Sequence, residues 1–139
     1  MWIEYYNKET KTLTIPCNFN EELKDVPEET EIITFGMYFN QSVDNLPQNI
    51  THLTFSIDFN QPVDDLPKKL THLTFGYNFN KSVDNLPKNL THLTFGNFFN
   101  QSVDNLPETL TYLSFGFNSK FNQNVNKLPI NICILNYIV

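Results

Sequence analysis

The chain has 139 residues and a formal net charge of −6, long enough for one domain with a sizeable core. That acidic balance argues against a nucleic-acid partner, which needs a basic surface, and against docking on an anionic membrane. No apolar stretch is long enough to span a bilayer; a positive partner surface would suit the charge better, though a charge of this size is also ordinary for solubility.

The N terminus, MWIEYYNKET, shows no basic region followed by an apolar run, so no secretory signal is visible. Trp2 to Tyr6, then Asn7-Lys8-Glu9-Thr10, then Lys11 to Ile15 read as strand, turn and strand. Residues 1–16 are therefore expected to form a capping hairpin and first strand, with the hairpin's outer strand antiparallel and covering an open edge.

From Cys17 to the C terminus the sequence repeats. Phe-Asn stands at Phe19, Phe39, Phe59, Phe79 and Phe99, a period of 20, and returns at Phe121 after a two-residue insertion. Leu-Pro follows at Leu46, Leu66, Leu86, Leu106 and Leu128, with Val26-Pro27 as the earliest version. THLTF or a close variant fills 51–55, 71–75, 91–95 and 111–115. This segment alternates, Leu53 and Phe55 on one side, His52 and Thr54 on the other, as a short strand with one buried face does. Seven strands are expected, near 11–15, 31–35, 51–55, 71–75, 91–95, 111–115 and 132–137. Val43 and Leu46 anchor a return arc that Pro47 keeps from becoming a regular helix. The glycine at Gly36, Gly76, Gly96 and Gly116 is expected to end the strand and let the backbone turn.

One such unit cannot bury its apolar face alone, and stacked neighbours can. The expected fold is an all-β solenoid: a right-handed, leucine-rich-repeat-like stack of 20-residue coils with one parallel sheet and the N-terminal hairpin as cap, residues 17–139 forming the stack. Each repeated residue then becomes a ladder. Asn40, Asn60, Asn80, Asn100 and Asn122 read as a buried row of amides bonding to turn backbone. His52, His72 and His92, between Ile32 and Tyr112, form an outward row. A row of imidazoles can bind a metal or sense pH, but no Cys or carboxylate recurs beside it, and stacking on the solvent face is the expectation. Asp44, Asp64, Asp84 and Asp104 are expected to cap turn backbone rather than hold calcium, with Lys68, Lys69 and Lys88 offsetting part of their mutual repulsion. No metal site, cofactor or catalytic residue is expected. His and Asp fall on opposite limbs of the coil, and no nucleophile elbow, Walker loop or paired-cysteine cluster occurs.

The repeats disagree chiefly at the pair after the strand glycine: Met37-Tyr38, Ile57-Asp58, Tyr77-Asn78, Asn97-Phe98 and Phe117-Asn118. Fixed positions build the coil, and free, aromatic-rich ones suit partner binding. The alternative is that half of each pair packs inward and the variation is drift. At the far end, Ile132, Ile134 and Ile138 lie on an apolar strand with no cap, an edge that invites a second copy and a homodimer. Cys17 and Cys133 fall several coils apart, too far for a bridge. Free thiols fit a reducing, intracellular compartment.

The pattern FNQSVDNLP…LTHLTFG resembles the FNIP repeat of social amoebae and of giant viruses that infect amoebae. The resemblance covers six Phe-Asn…Pro units, with a shorter arc than many family members have. It implies a leucine-rich-repeat-like protein-interaction module, working in the cytoplasm (of the host, if the source is viral). In the family such repeats often stand beside an F-box or a kinase domain, which implies substrate selection for ubiquitin ligases; nothing in this sequence looks like either domain. The function expected is thus recognition of a protein partner through the variable pairs and the histidine row. A structural or self-assembling role through the C-terminal strand is the alternative.

Overall fold

The structure, a computed structural model, describes residues 4–135. Eight short strands make one sheet in chain order: β1 Tyr6–Asn7, β2 Thr12–Thr14, β3 Ile32–Thr34, β4 His52–Thr54, β5 His72–Thr74, β6 His92–Thr94, β7 Tyr112–Ser114 and β8 Cys133–Leu135. The pair β1–β2 is antiparallel, and every later pair is parallel. The register is the sequence period itself: His52 faces His72, and His72 faces His92. The fold is the all-β leucine-rich-repeat-like stack that the 20-residue period calls for. The capping strand is shorter than expected, with Tyr6 paired to Leu13 and Asn7 to Thr12. Trp2 and Ile3, assigned above to that strand, lie outside the described residues.

Each strand from β2 to β7 contributes a fully buried central residue, Leu53 or its counterpart, and from β3 to β7 the next inward position is the phenylalanine just beyond the strand. The chain then turns at 37–38 and its equivalents, runs extended, turns again at 44–45 and 48–49, and re-enters the sheet. No described residue is helical. Leu46 and its equivalents are buried in the arc with the proline that follows them, where the fixed proline φ suits a corner and a missing N–H costs nothing. The core is a set of rungs at one-coil intervals. Phe59, Phe79 and Phe99 stack 6.1 Å apart, and each lies flat against its own coil's second ring, Phe75 on Phe79 at 3.7 Å. Burying one such ring contributes roughly 1.5–3 kcal/mol.

The asparagine ladder exists but is not buried. Its side chains are half-exposed or exposed, because the side-chain oxygen reaches along the outside of the stack to the next coil. Oδ1 of Asn40 accepts the backbone N–H of Asn60 at 2.9 Å, Oδ1 of Asn60 that of Asn80 at 2.9 Å, and Oδ1 of Asn80 that of Asn100 at 2.9 Å. The expected glycine role also changes. No glycine has positive φ; the side chain is missing because the coils touch there. A Cβ on Gly96 would lie 2.0 Å from the Gly76 carbonyl oxygen, and one on Gly76 would lie 1.6 Å from that of Ser56.

The last coil departs from the repeat twice. The two inserted residues push Phe117 and Asn118 outward as a turn closed by the Ser119 N–H donating to the Gly116 oxygen at 2.9 Å. Lys120 then donates to the Asn97 oxygen at 2.7 Å, so Ser119–Lys120 occupy the ladder place expected for Phe117–Asn118. Further on, Ile134 pairs with Leu113 and Leu135 with Ser114. Counting from Leu-Pro would put Leu135 opposite Leu113. The strand is set one residue earlier, which turns Leu135 out and Ile134 in.

Candidate functional site

Two surfaces carry the variable and titratable residues. The first is the turn that follows each strand. Its backbone is spent on holding the coils together: Tyr38 N–H donates to the Cys17 oxygen at 3.1 Å, Asp58 to Met37 at 3.1 Å, Asn78 to Ile57 at 3.0 Å and Phe98 to Tyr77 at 3.1 Å. Any residue with an N–H satisfies that ladder, so the side chains are free to differ. None of the ten is fully buried. One large apolar or aromatic side chain per coil stands exposed: Tyr38, Ile57, Tyr77, Phe98 and Phe117, the first 52 % and the last 80 % accessible. It takes the second place of the pair at Tyr38 and Phe98 and the first at Ile57, Tyr77 and Phe117. The other member, Met37, Asp58, Asn78 or Asn97, is half-buried. Tyr77 and Phe98 meet edge to face at 5.0 Å, and Asn78 donates to Asp58 Oδ1 at 3.2 Å. The result is a row of exposed apolar side chains, one per coil, of which Tyr77 and Phe98 touch.

The second surface is the outer sheet face. His52, His72 and His92 stack with ring centroids 4.2 Å apart and planes within 12°, and Tyr112 continues the row at 5.5 Å. The threonine before each ring fixes its tautomer. Thr71 Oγ1 lies 3.1 Å from the Thr51 carbonyl oxygen and 2.9 Å from His72 Nδ1. A hydroxyl has one proton and the carbonyl can only accept, so Nδ1 donates and Nε2 of the neutral ring keeps its lone pair. The same contacts recur at Thr51–His52 and Thr91–His92. Partial burial lowers the His72 pKa below its ordinary value, and the rings of His52 and His92 lower it further. Parallel rings send their lone pairs side by side rather than toward one point. Among the described residues no group of three or more His, Cys, Asp or Glu is placed to hold a metal.

The aspartate row lies in the return arc and binds side chains more than turn backbone. Asp84 Oδ2 accepts from the Ser82 hydroxyl at 2.9 Å, while Ser82 Oγ accepts the Asp84 N–H. Its Oδ1 accepts from Asn105 of the next coil at 3.0 Å. Of the three lysines expected to balance this row, Lys69 donates instead to Asn49 Oδ1 at 2.8 Å. The cation that does reach the row is Lys127, 3.0 Å from Asp104, and its place after the insertion hid it from a count by period. A shallow trough in the arc is lined by Asp64, Leu66, Lys68, Leu86 and Lys88, and the adjoining one by Asp84, Leu86, Lys88 and Leu106.

At the C-terminal end, Ile132 and Ile134 are partly buried and packed against the core, and Ile138 lies outside the described residues. Cys17 and Cys133 are both free and exposed. No helix among the described residues is long and apolar enough to cross a membrane.

The chain matches the FNIP Repeat family over residues 19–58, 42–78, 59–98 and 82–118. It is also similar to a solved giant-virus structure, CroV588, described as a novel circular LRR protein, at 40% identity and a TM-score of 0.78. That match covers 89% of this chain and 20% of the other, so the chain spans about a fifth of the length of that protein. No curated protein matches the chain.

Proposed function

The chain belongs to the FNIP repeat family, and from that footing we propose that it is a protein-recognition module whose binding surface is the apolar stripe Tyr38, Ile57, Tyr77, Phe98 and Phe117, with the histidine row beside it. Leucine-rich-repeat-like solenoids typically serve protein interaction, and the family is generally non-catalytic. The observation that carries the reading is the division of labour in the turn. Its backbone N–H groups join coil to coil whatever side chain is attached, and an exposed aromatic or large aliphatic stands in each of the five turns from Tyr38 to Phe117. Aromatic anchors of this kind dominate binding energies at interfaces. The partner is a host protein, met in the cytoplasm. The cap at 1–16 and the stack at 17–139 act as one unit. In a parent chain that also carries an F-box, the same stripe would select substrates for a ubiquitin ligase.

The test is an affinity capture from amoebal lysate with the native chain and with a Tyr38→Ser, Tyr77→Ser, Phe98→Ser variant. Because these side chains are exposed and pack no core, the variant keeps the native melting temperature. A protein held by the native chain and lost by the folded variant supports the stripe; a protein held equally by both moves the site elsewhere.

One observation favours self-association as a second reading. Val125, Leu128, Ile132 and Ile134 are only partly buried, whereas Val103, Leu106, Leu110 and Leu113 one coil earlier are 7 % exposed or less.

A further inference from the structure

The charge of this chain is not spread along the stack. The first coil, residues 17–31, holds six carboxylates and one lysine, a net −5. Residues 109–135 hold Lys120 and Lys127 and no carboxylate, a net +2, although Lys127 is paired with Asp104 of the coil before. The interior between them is close to neutral for its size, seven carboxylates against four lysines over residues 32–108. The stack is therefore polarised along its axis, acidic at one end and basic at the other.

The hydrogen-bond ladder is polarised in the same sense. Its first rung is Asn20, whose Oδ1 accepts the Asn40 N–H at 2.8 Å and whose own N–H has no ladder asparagine one period earlier among the described residues. Its last rung is Asn122, whose N–H donates to Asn100 Oδ1 at 3.0 Å. The Asn122 oxygen takes only the neighbouring Gln123 amide, at 3.0 Å. One end face thus presents a donor where the other presents an acceptor. Both faces also leave core rungs part-covered, Phe19, Leu23 and Val26 at the first coil and Val125 and Leu128 at the last. On the sheet side, β1 and β8 are the two outer strands.

Deepening the self-association reading above, on which this rests, we propose that copies of this chain associate head to tail, the acidic first coil of one on the basic last coil of the next. Opposite charge, donor against acceptor, and apolar rungs of matching spacing all specify the unlike end. Two like ends meeting would oppose −5 to −5 or +2 to +2. An interface between unlike faces does not close on itself in a pair. It propagates, into a ring or an open chain, and its electrostatic share weakens with salt.

Sedimentation velocity tests this on the 139-residue chain and two charge-reversed variants, Glu21→Lys/Glu22→Lys/Glu28→Lys and Lys120→Glu/Lys127→Glu. The native chain should grow in mass with concentration at low salt and return toward monomer at high salt. Each variant alone should stay monomeric, since its two ends then carry the same sign. An equimolar mixture of the two should associate again, because each supplies the end the other lacks, and that recovery also shows that both are folded. A native chain that stays monomeric at low salt overturns the proposal. So does a dimer that persists in the first variant, which would mean two C-terminal ends meeting each other. The Tyr38/Tyr77/Phe98 variant, whose ends are native, should associate like the native chain, so the stripe and the end faces succeed or fail separately.

Discussion

At Gly76 and Gly96 adjacent coils lie so close that an added methyl has nowhere to go, because the obstruction is backbone. Gly96→Ala is expected to destabilise the fold by about 1–3 kcal/mol, read from the denaturant midpoint; an unchanged midpoint would mean the coils separate freely there. Ser56 stands at the equivalent place in the intervening coil, so the contact is not equally tight everywhere. His72 gives a prediction of opposite character. Its pKa is lower in the folded chain than the ordinary 6.5, so the unfolded chain binds a proton more readily. Stability is then complete above pH of about 6.5 and falls as the pH drops below it. His72 in the native chain should titrate below the ordinary histidine range by NMR. Replacing His72 with Thr should flatten the loss of stability between about pH 7 and pH 5.

The strand and its turn form the next scale, and here the rungs decide. Phe79 lies between Phe59 and Phe99 and flat on Phe75; Phe79→Ala should cost about 3–5 kcal/mol, measured by equilibrium unfolding. Asn80→Ala should cost less, about 1 kcal/mol. It removes the acceptor for the Asn100 N–H and the Gln101 amide, but these groups are near enough to the surface for water to take its place. A loss as large as that of Phe79→Ala would mean the polar ladder and not the core sets the coil spacing. The strands, their register and the rows of His, Asn and Asp were legible in the sequence because a fixed period converts directly into neighbours across a parallel sheet. Three things were not. The glycine's partner lies one coil away, so a reading of its own dihedral freedom misses it. The placement of Ser119–Lys120 depends on which residues of a six-residue loop bulge. The one-residue offset of β8 puts Ile134 in the inward slot and Leu135 outside, a choice between two apolar residues that alternation cannot make. Of the candidate site, the exposed stripe was legible as variation between repeats, whereas the Lys127–Asp104 pair and the trough in the arc needed coordinates.

At the scale of the whole molecule, each coil touches only its neighbours, so stability sums over coils and the contacts between them. Deleting residues 79–98, one complete coil, brings Asn78 to Phe99 and restores the same turn, with Phe59 stacked on Phe99. The shortened chain should fold to a circular-dichroism spectrum of the same shape, with a lower midpoint and a smaller denaturant slope in proportion to the surface lost; an unfolded product would show that the interior coils are not interchangeable. The same interchangeability sets a problem for the chain as it folds. Leu73, Leu93 and Leu113 offer nearly the same seat to an arriving strand, and pairing β4 directly with β6 would satisfy the ladder while looping out the coil between them. A slip of one residue is forbidden by the alternation of faces, but a slip of twenty is almost free of penalty until the ends are counted. The antiparallel cap and the longer, offset last coil fit nowhere else in the stack. These irregular ends therefore act as the landmarks that let a monotonous chain find a single alignment.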